Sequence, residues 1–304
     1  MSNTKIIIHN LNRKYGNRHV LKNLNIEIVA ESGMIVGIVG INGAGKSTLF
    51  RILALIDGDF EGELELVVNN KKIASKFDVG FLPEERSLPS TGKVFEILRL
   101  WAELRGFADK QRDELIEKWL NKADLVQYRN SFVKSLSKGN RQKLQLACCL
   151  MHSPSFIVFD EPFSGLDPAN QELVINLLQE RQAEGALILL SAHQLELVER
   201  MCDSAYLLND GTLNLIDSRK FESKQIISIR VNKDDHALEF LKRFPLNDNV
   251  YSVPENTLSI NEKEVLFDAC CSNKVNAYYG KFMTLREQYI YSTGSTLYKE
   301  LENE

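Results

Sequence analysis

The chain has 304 residues, 44% of them hydrophobic, with a formal net charge of −4 and a pI of about 5.9. That length suits a large domain plus a small one with a substantial core, and the mild acidity argues against a nucleic-acid binder working through bulk positive charge. No stretch approaches the roughly 18 uncharged apolar residues of a membrane span, and the opening MSNTKIIIHNLNRKYG does not read as a signal peptide, so membrane work would need another chain to cross.

Near the N-terminus Leu24, Ile26 and Ile28 alternate, as in antiparallel strands. MIVGIVG (Met34–Gly40) then predicts a buried strand ending in glycine. Leu49, Ile52, Leu53 and Ile56 follow at i, i+3, i+4 and i+7, one face of a helix that Asp57-Gly58 should end. Between strand and helix lies GINGAGKSTLF, where Gly40, Gly45, Lys46 and Ser47 fit G-x-x-x-x-G-K-[ST] in the context that pattern requires. Glycines let backbone N–H groups turn inward, and with the helix N-terminus they form a nest for anionic oxygens. The loop as a whole, Gly40 with Asn42, Gly43, Ala44, Gly45, Lys46, Ser47 and Thr48, is therefore read as a triphosphate cradle. Lys46 would reach the β- and γ-phosphates and Ser47 would place its hydroxyl on Mg²⁺.

VGFLPEE (Val79–Glu85) predicts another strand running into a charged loop, and residues from about 86 to 155 read mainly as helix. Ile97, Leu98, Trp101 and Leu104 share one helical face, Leu115, Ile116, Trp119 and Leu120 another, which places both tryptophans in the core. In SLSKGNRQKLQLACCLMHSP, Leu144, Cys148 and Met151 mark a helix that Ser153-Pro154 stops, with Ser137-Lys138-Gly139-Asn140 at its N-terminus as a second anion-binding end. FIVFDE (Phe156–Glu161) reads as a strand buried on both faces, as in a parallel sheet. Asp160 at its end would face the Mg²⁺ shell. Glu161, pointing the opposite way along the strand, would face the γ-phosphate and polarise the attacking water. ALILLSAH (Ala186–His193) is a further buried strand ending in a histidine, and LNDGTLNLIDS (Leu208–Ser218) holds the turn Asp210-Gly211 and a final strand.

In order and character these motifs resemble the ATP-binding subunits of ABC transporters. LSKGN is similar to that family's LSGGQ signature, which closes over a nucleotide held by a second subunit in a head-to-tail dimer. The resemblance implies that Ser137 and Gly139 contact ATP across that interface and that Tyr15, in RKYGNRHVL, stacks on adenine. It further implies that Ser164-Gly165-Leu166-Asp167 is the loop that meets the opposite subunit, and that His193 orients the attacking water at the γ-phosphate. Two departures stand out: Glu84 holds the place of the usual metal-shell glutamine, and Lys138 and Asn140 replace a glycine and a glutamine of the signature. A carboxylate at Glu84 can still serve the metal shell.

The expected fold is α/β, a P-loop NTPase with a mixed, mainly parallel core sheet, an antiparallel N-terminal region and a helical subdomain at about 86–155. Residues 1–216 would form the ATPase domain and 217–304 a small α+β extension. Its pattern, with Ile227, Ile229 and Val231 alternating, DHALEFLKRF and EKEVLFDACC helical, and VYSV, TLSI and VNAYYGKF extended, gives a ferredoxin-like β-α-β-β-α-β order. The five cysteines form no C-x-x-C and read as small core residues in a reducing compartment. The implied function is an ATPase, using ATP and Mg²⁺, that drives export through a separate multi-pass permease from the inner face of the membrane. It would pair with a second ATPase subunit and bind no nucleic acid. The exporter reading rests on the PEER-type loop and the C-terminal extension. A competing reading of the same resemblance is a soluble ABC-type ATPase acting on ribosomes or DNA without a permease.

Overall fold

The structure, a computed structural model, describes residues 4–30, 32–84, 88–192, 195–216, 225–231, 236–244, 246–247, 250–254, 258–272 and 274–282. The chain divides into two compact units, one of residues 1–193, 201–203 and 208–214, the other of 194–200, 204–207 and 215–304.

The first unit opens with an antiparallel sheet. β1 (Thr4–Tyr15) pairs with β2 (Arg18–Ala30), Ile6 opposite Ile28 and Ile8 opposite Ile26, and on its other side with β4 (Glu61–Val68). The alternation of Leu24, Ile26 and Ile28 puts all three into the core. β5 (Lys71–Lys72) completes the sheet in the order β2-β1-β4-β5.

The central sheet is built on parallel strands buried on both faces. β3 (Met34–Val39) pairs with β8 (Leu187–Ser191), β8 with β7 (Phe156–Phe159), and β7 with β6 (Val79–Leu82). Ile38 lies opposite Ser191, Leu190 opposite Phe159, and Phe159 opposite Leu82, so these four strands finish at one edge. β9 (Ser204–Asn209) and β10 (Thr212–Ile216) extend it to the order β10-β9-β3-β8-β7-β6. Between them Asp210 (φ 46°) and Gly211 (φ 76°) both take left-handed conformations, as a tight hairpin turn requires.

The helices are α1 (Lys46–Leu53), α2 (Val94–Leu104), α3 (Asp109–Lys122), α4 (Lys138–Leu150), α5 (Pro168–Ala183) and α6 (Leu195–Met201); α1, α4 and α5 pack on the sheet, and α2 packs on α3 and α4. Leu144, Cys148 and Met151 of the α4 stretch are buried as the spacing predicts. Three expectations fail here. α1 stops at Leu53, because Leu55 turns left-handed and Ile56 N–H donates back to Arg51 O at 2.9 Å, leaving Ile56 exposed rather than on the buried face. Leu104 ends α2 in solvent, and Trp101 is only half-buried while Trp119 is in the core.

In the second unit β11 (Gln225–Val231) runs antiparallel to both β13 (Val250–Pro254) and β14 (Val275–Phe282), and β12 (Leu246–Asn247) pairs with β13, giving β12-β13-β11-β14. Ile227, Ile229, Leu238, Leu241, Val253 and Leu266 form its core. Residues 236–243 wind as a 3₁₀ helix instead of an α-helix. The described residues of TLSI form no strand: Leu258 lies in a bend and Ser259 caps α7 (Ile260–Cys271), accepting from Glu262 N–H at 3.3 Å, while the Glu262 carboxylate accepts from Ser259 N–H at 2.8 Å. This reciprocal capping box overrides the local strand preference.

Candidate functional site

The shared edge of the parallel strands sets the site. β3 leads through Gly40 into α1, whose N-cap is Gly45 at φ 109°. A Cβ at Gly45 would press on Leu21 and Val20 at 3.0 Å, and one at Gly40 would lie 2.4 Å from the Leu208 carbonyl oxygen. Both positions need glycine, the first also for its backbone conformation. The loop between them lies under the antiparallel region, and Arg18 at the start of β2 donates to Gly43 O at 3.2 Å. Lys46 is buried, its Nζ donating to Gly40 O at 2.7 Å and Ile41 O at 3.3 Å. Carbonyls of its own loop thus hold the ammonium at the mouth of the helix.

Across the sheet edge, β7 ends at Phe159 and its last backbone pairing continues with Asp160 N–H donating to Leu82 O at 2.8 Å. Asp160 and Glu161 are both buried. Strand alternation does not separate them, contrary to the sequence reading. Glu161 takes a left-handed φ of 51°, turning the chain so that both carboxylates line the same cavity. A non-glycine residue costs about 1 kcal/mol or more in such a conformation, and positions of this kind cluster at functional sites. Ser191, at the end of β8 and wholly buried, holds the turn: its hydroxyl donates to Asp160 Oδ1 at 2.7 Å and accepts from Glu161 N–H at 2.8 Å. Gln142 of α4 donates to Pro162 O, tying the α4 helix to the same turn.

These pieces enclose a cavity of about 400 Å³. Asn42, Gly43, Gly45, Lys46, Ser47 and Thr48 form one wall and Glu84, Asp160 and Glu161 another. Tyr15, at the end of β1, stands at the rim with Arg18 and Val20. Of the loop residues, Gly40 packs close to Leu208 and Ala44 is buried. Ser137 and Gly139 sit apart at the start of α4, where Ser137 Oγ accepts from Asn140 N–H at 3.2 Å as N-cap. A second cavity of about 480 Å³ runs from Glu84 past Lys134, Lys138 and Arg141 to Ser164. Asp167 caps α5, accepting from Asn170 N–H at 2.9 Å, and this bond first, with that from the Asn170 side chain, holds its carboxyl below the usual range. His193 lies outside the described residues. Arg18 and Ser191 were not singled out from sequence. Ser191 follows an apolar run by two residues from His193, but its partners sit about 30 positions away.

The oxygen donors of Ser47, Asp160 and Glu84 suit a hard divalent cation such as Mg²⁺. Among the described residues, no group of three or more His, Cys, Asp or Glu side chains gathers to hold a metal alone. Nor is any described helix long and apolar enough to cross a membrane.

A parallel sheet, a glycine-capped helix bearing lysine and serine, and a buried Asp-Glu turn at the same edge define a P-loop nucleoside triphosphatase. A model of the ABC transporter family matches residues 21–164. An uncharacterized ABC transporter ATP-binding protein of Methanocaldococcus jannaschii is 36% identical over 265 residues, which are 80% of this chain and 97% of that protein. A methionine import ATP-binding protein of Listeria monocytogenes is 29% identical over 244 residues, 77% of this chain and 69% of its own length. Among solved structures, an ATP-binding subunit of an ABC transporter superposes with a TM-score of 0.63 at 29% identity, covering 71% of this chain and 93% of that one. The chain belongs to the ABC transporter ATP-binding proteins; it binds and hydrolyses ATP.

Proposed function

We propose that this subunit hydrolyses Mg·ATP in the cavity between Tyr15 and Glu161 and uses the cycle to drive export through a separate multi-pass membrane permease. The observation that carries the site assignment is that one cavity joins an aromatic rim, the lysine-bearing loop and the Asp160-Glu161 turn. Adenine stacks on Tyr15, and the triphosphate lies along the loop from Gly40 to Thr48, with backbone N–H groups and the start of α1 facing its oxygens. Lys46 offsets charge on the β- and γ-phosphates. Ser47, Asp160 and Glu84 would hold Mg²⁺, which when bound neutralises charge on the β- and γ-phosphate oxygens. Glu161 takes the proton of the water that attacks the γ-phosphorus in line as the bond to ADP breaks, and His193 orients that water.

Ser137 and Gly139 close over the nucleotide of a second ATPase subunit, identical or homologous, so two nucleotides sit in a head-to-tail dimer. Loss of γ-phosphate contacts after hydrolysis removes stabilisation from the closed dimer and shifts the population toward the open one. Residues 1–216 serve as the ATPase domain, with the permease-facing helical subdomain at about 86–155. Residues 217–304 form an α+β extension whose strand order β12-β13-β11-β14 supports a ferredoxin-like assignment. The subunit works at the inner face of the membrane. Export is favoured by Glu84 in its PEER loop and by the C-terminal extension, although one relative's name assigns it to methionine import.

Glu161→Gln tests the reading. The variant should bind ATP as the wild type does while turnover falls by about 10²-fold or more and an ATP-trapped dimer accumulates on size exclusion. Unchanged turnover would remove Glu161 from this role.

A further inference from the structure

We propose that Arg13 and Asp57 are positioning residues for the nucleobase, locking the Tyr15 ring so that a single face is offered to the purine. This rests on the reading of Tyr15 as the adenine platform. Arg13 and Tyr15 lie two residues apart at the end of β1, and the guanidinium carbon sits 4.2 Å from the Tyr15 ring centroid. A cation at that distance is held by the ring's quadrupole and covers one π-face, so a base must take the other. Arg13 is itself anchored, its Nε donating to Asp57 Oδ2 at 3.1 Å and its NH1 to Asp59. The same Asp57 oxygen accepts from the Tyr15 hydroxyl at 3.2 Å, while Asp57 Oδ1 accepts from Asp59 N–H at 3.0 Å. Face and hydroxyl of one ring are therefore both tied to one carboxylate.

Tyr15 is 42% exposed, and an exposed tyrosine without such ties loses rotamer freedom on stacking. Fixing the ring beforehand removes that cost from binding. The carboxylate itself is set for the task. Burial pushes Asp57 upward in pKa, but the Asp59 N–H, the Tyr15 hydroxyl and the Arg13 charge outweigh it and hold Asp57 below the ordinary range. The network joins the end of β1 to the loop that follows α1 and includes no residue of the phosphate cradle, so its effect should fall on the base and not on the phosphates.

The test compares Mg·ATP with magnesium tripolyphosphate, which has no base, by calorimetric titration. Arg13→Met, which keeps the apolar stem, should weaken ATP about three- to tenfold and leave tripolyphosphate unchanged. Asp57→Ala should behave alike, and Arg13→Met should add nothing in a Tyr15→Ala background. If Tyr15→Ala weakens ATP while Arg13→Met and Asp57→Ala do not, the positioning role is wrong and the platform stands. Equal losses for both ligands, or an additive loss in the Tyr15→Ala background, would overturn it too, since the network would then support the fold and not the ring. If Tyr15→Ala itself leaves ATP affinity at the wild-type value, the platform reading falls and this inference with it.

Discussion

The two units bury different kinds of residue. The first encloses Lys46, Asp160, Glu161 and Ser191 beside its apolar core, and among the described residues every buried charged side chain lies there. The second packs Ile227, Ile229, Leu238, Leu241, Val253 and Leu266 into a core of apolar groups. The same contrast holds for backbone strain: all described non-glycine residues with positive φ belong to the first unit, and among them Glu161 lines the cavity. Burying polar groups and twisting a carboxylate out of regular geometry cost stability, and a protein retains them where they perform chemistry. Among the described residues, the second unit carries no buried charged side chain and no non-glycine residue with positive φ.

That contrast can be broken at either end. The largest effect should come from Lys46→Ala, which removes the cation from the cradle and should lower ATP turnover by about 10²- to 10³-fold in a steady-state phosphate-release assay. Ile229→Ala should destabilise the second unit by about 2–5 kcal/mol in denaturant unfolding, while ATP affinity stays at the wild-type value. A loss of ATP affinity in that variant would mean the two units share the work. Ser191→Ala frees Asp160 and the Glu161 peptide from their common hydroxyl. Turnover should drop about 10- to 100-fold, the range for groups that orient ligands of a metal, and the magnesium concentration for half-maximal binding of ATP should rise. The smallest effect belongs to Glu262. Hydrogen bonds from Ser259 N–H first, then Arg243 and the Ser259 hydroxyl, bring its pKa from 4.5 to about 2 in the folded chain. A depressed carboxyl contributes stability above its unfolded pKa and loses it as pH falls through the folded value. Glu262→Gln should thus lower the melting temperature of the second unit near neutral pH, with the difference fading between pH 4.5 and about 2 in circular dichroism.

Much of the first unit was legible because its signals are local. The apolar MIVGIVG, the glycine loop and the helical spacing of Leu49, Ile52 and Leu53 sit within 20 residues, and each reads without knowledge of the others' partners. FIVFDE gave a doubly buried strand for the same reason. What escaped depends on register across the sheet. Ser191 reaches Asp160 because β7 and β8 lie side by side, and Arg18 reaches Gly43 because β2 folds over the loop. No spacing within one stretch encodes either contact. Periodicity also overran the real ends of elements: Ile56 and Leu104 keep the helical spacing but lie beyond or at the helix terminus, where the chain turns to solvent. In the second unit, Ser259 and Glu262 stand three apart as a capping box does, and that signal should have outweighed the extended reading of TLSI.

The central claim is that the cavity around Lys46 is the ATP site. Titrating the full chain with ATP in the presence of magnesium, beside the Lys46→Ala variant, tests it most directly. Saturable heat from the wild type, greatly weakened in the variant, is the predicted result. No binding by the wild type at millimolar nucleotide, or equal binding by both proteins, would contradict it.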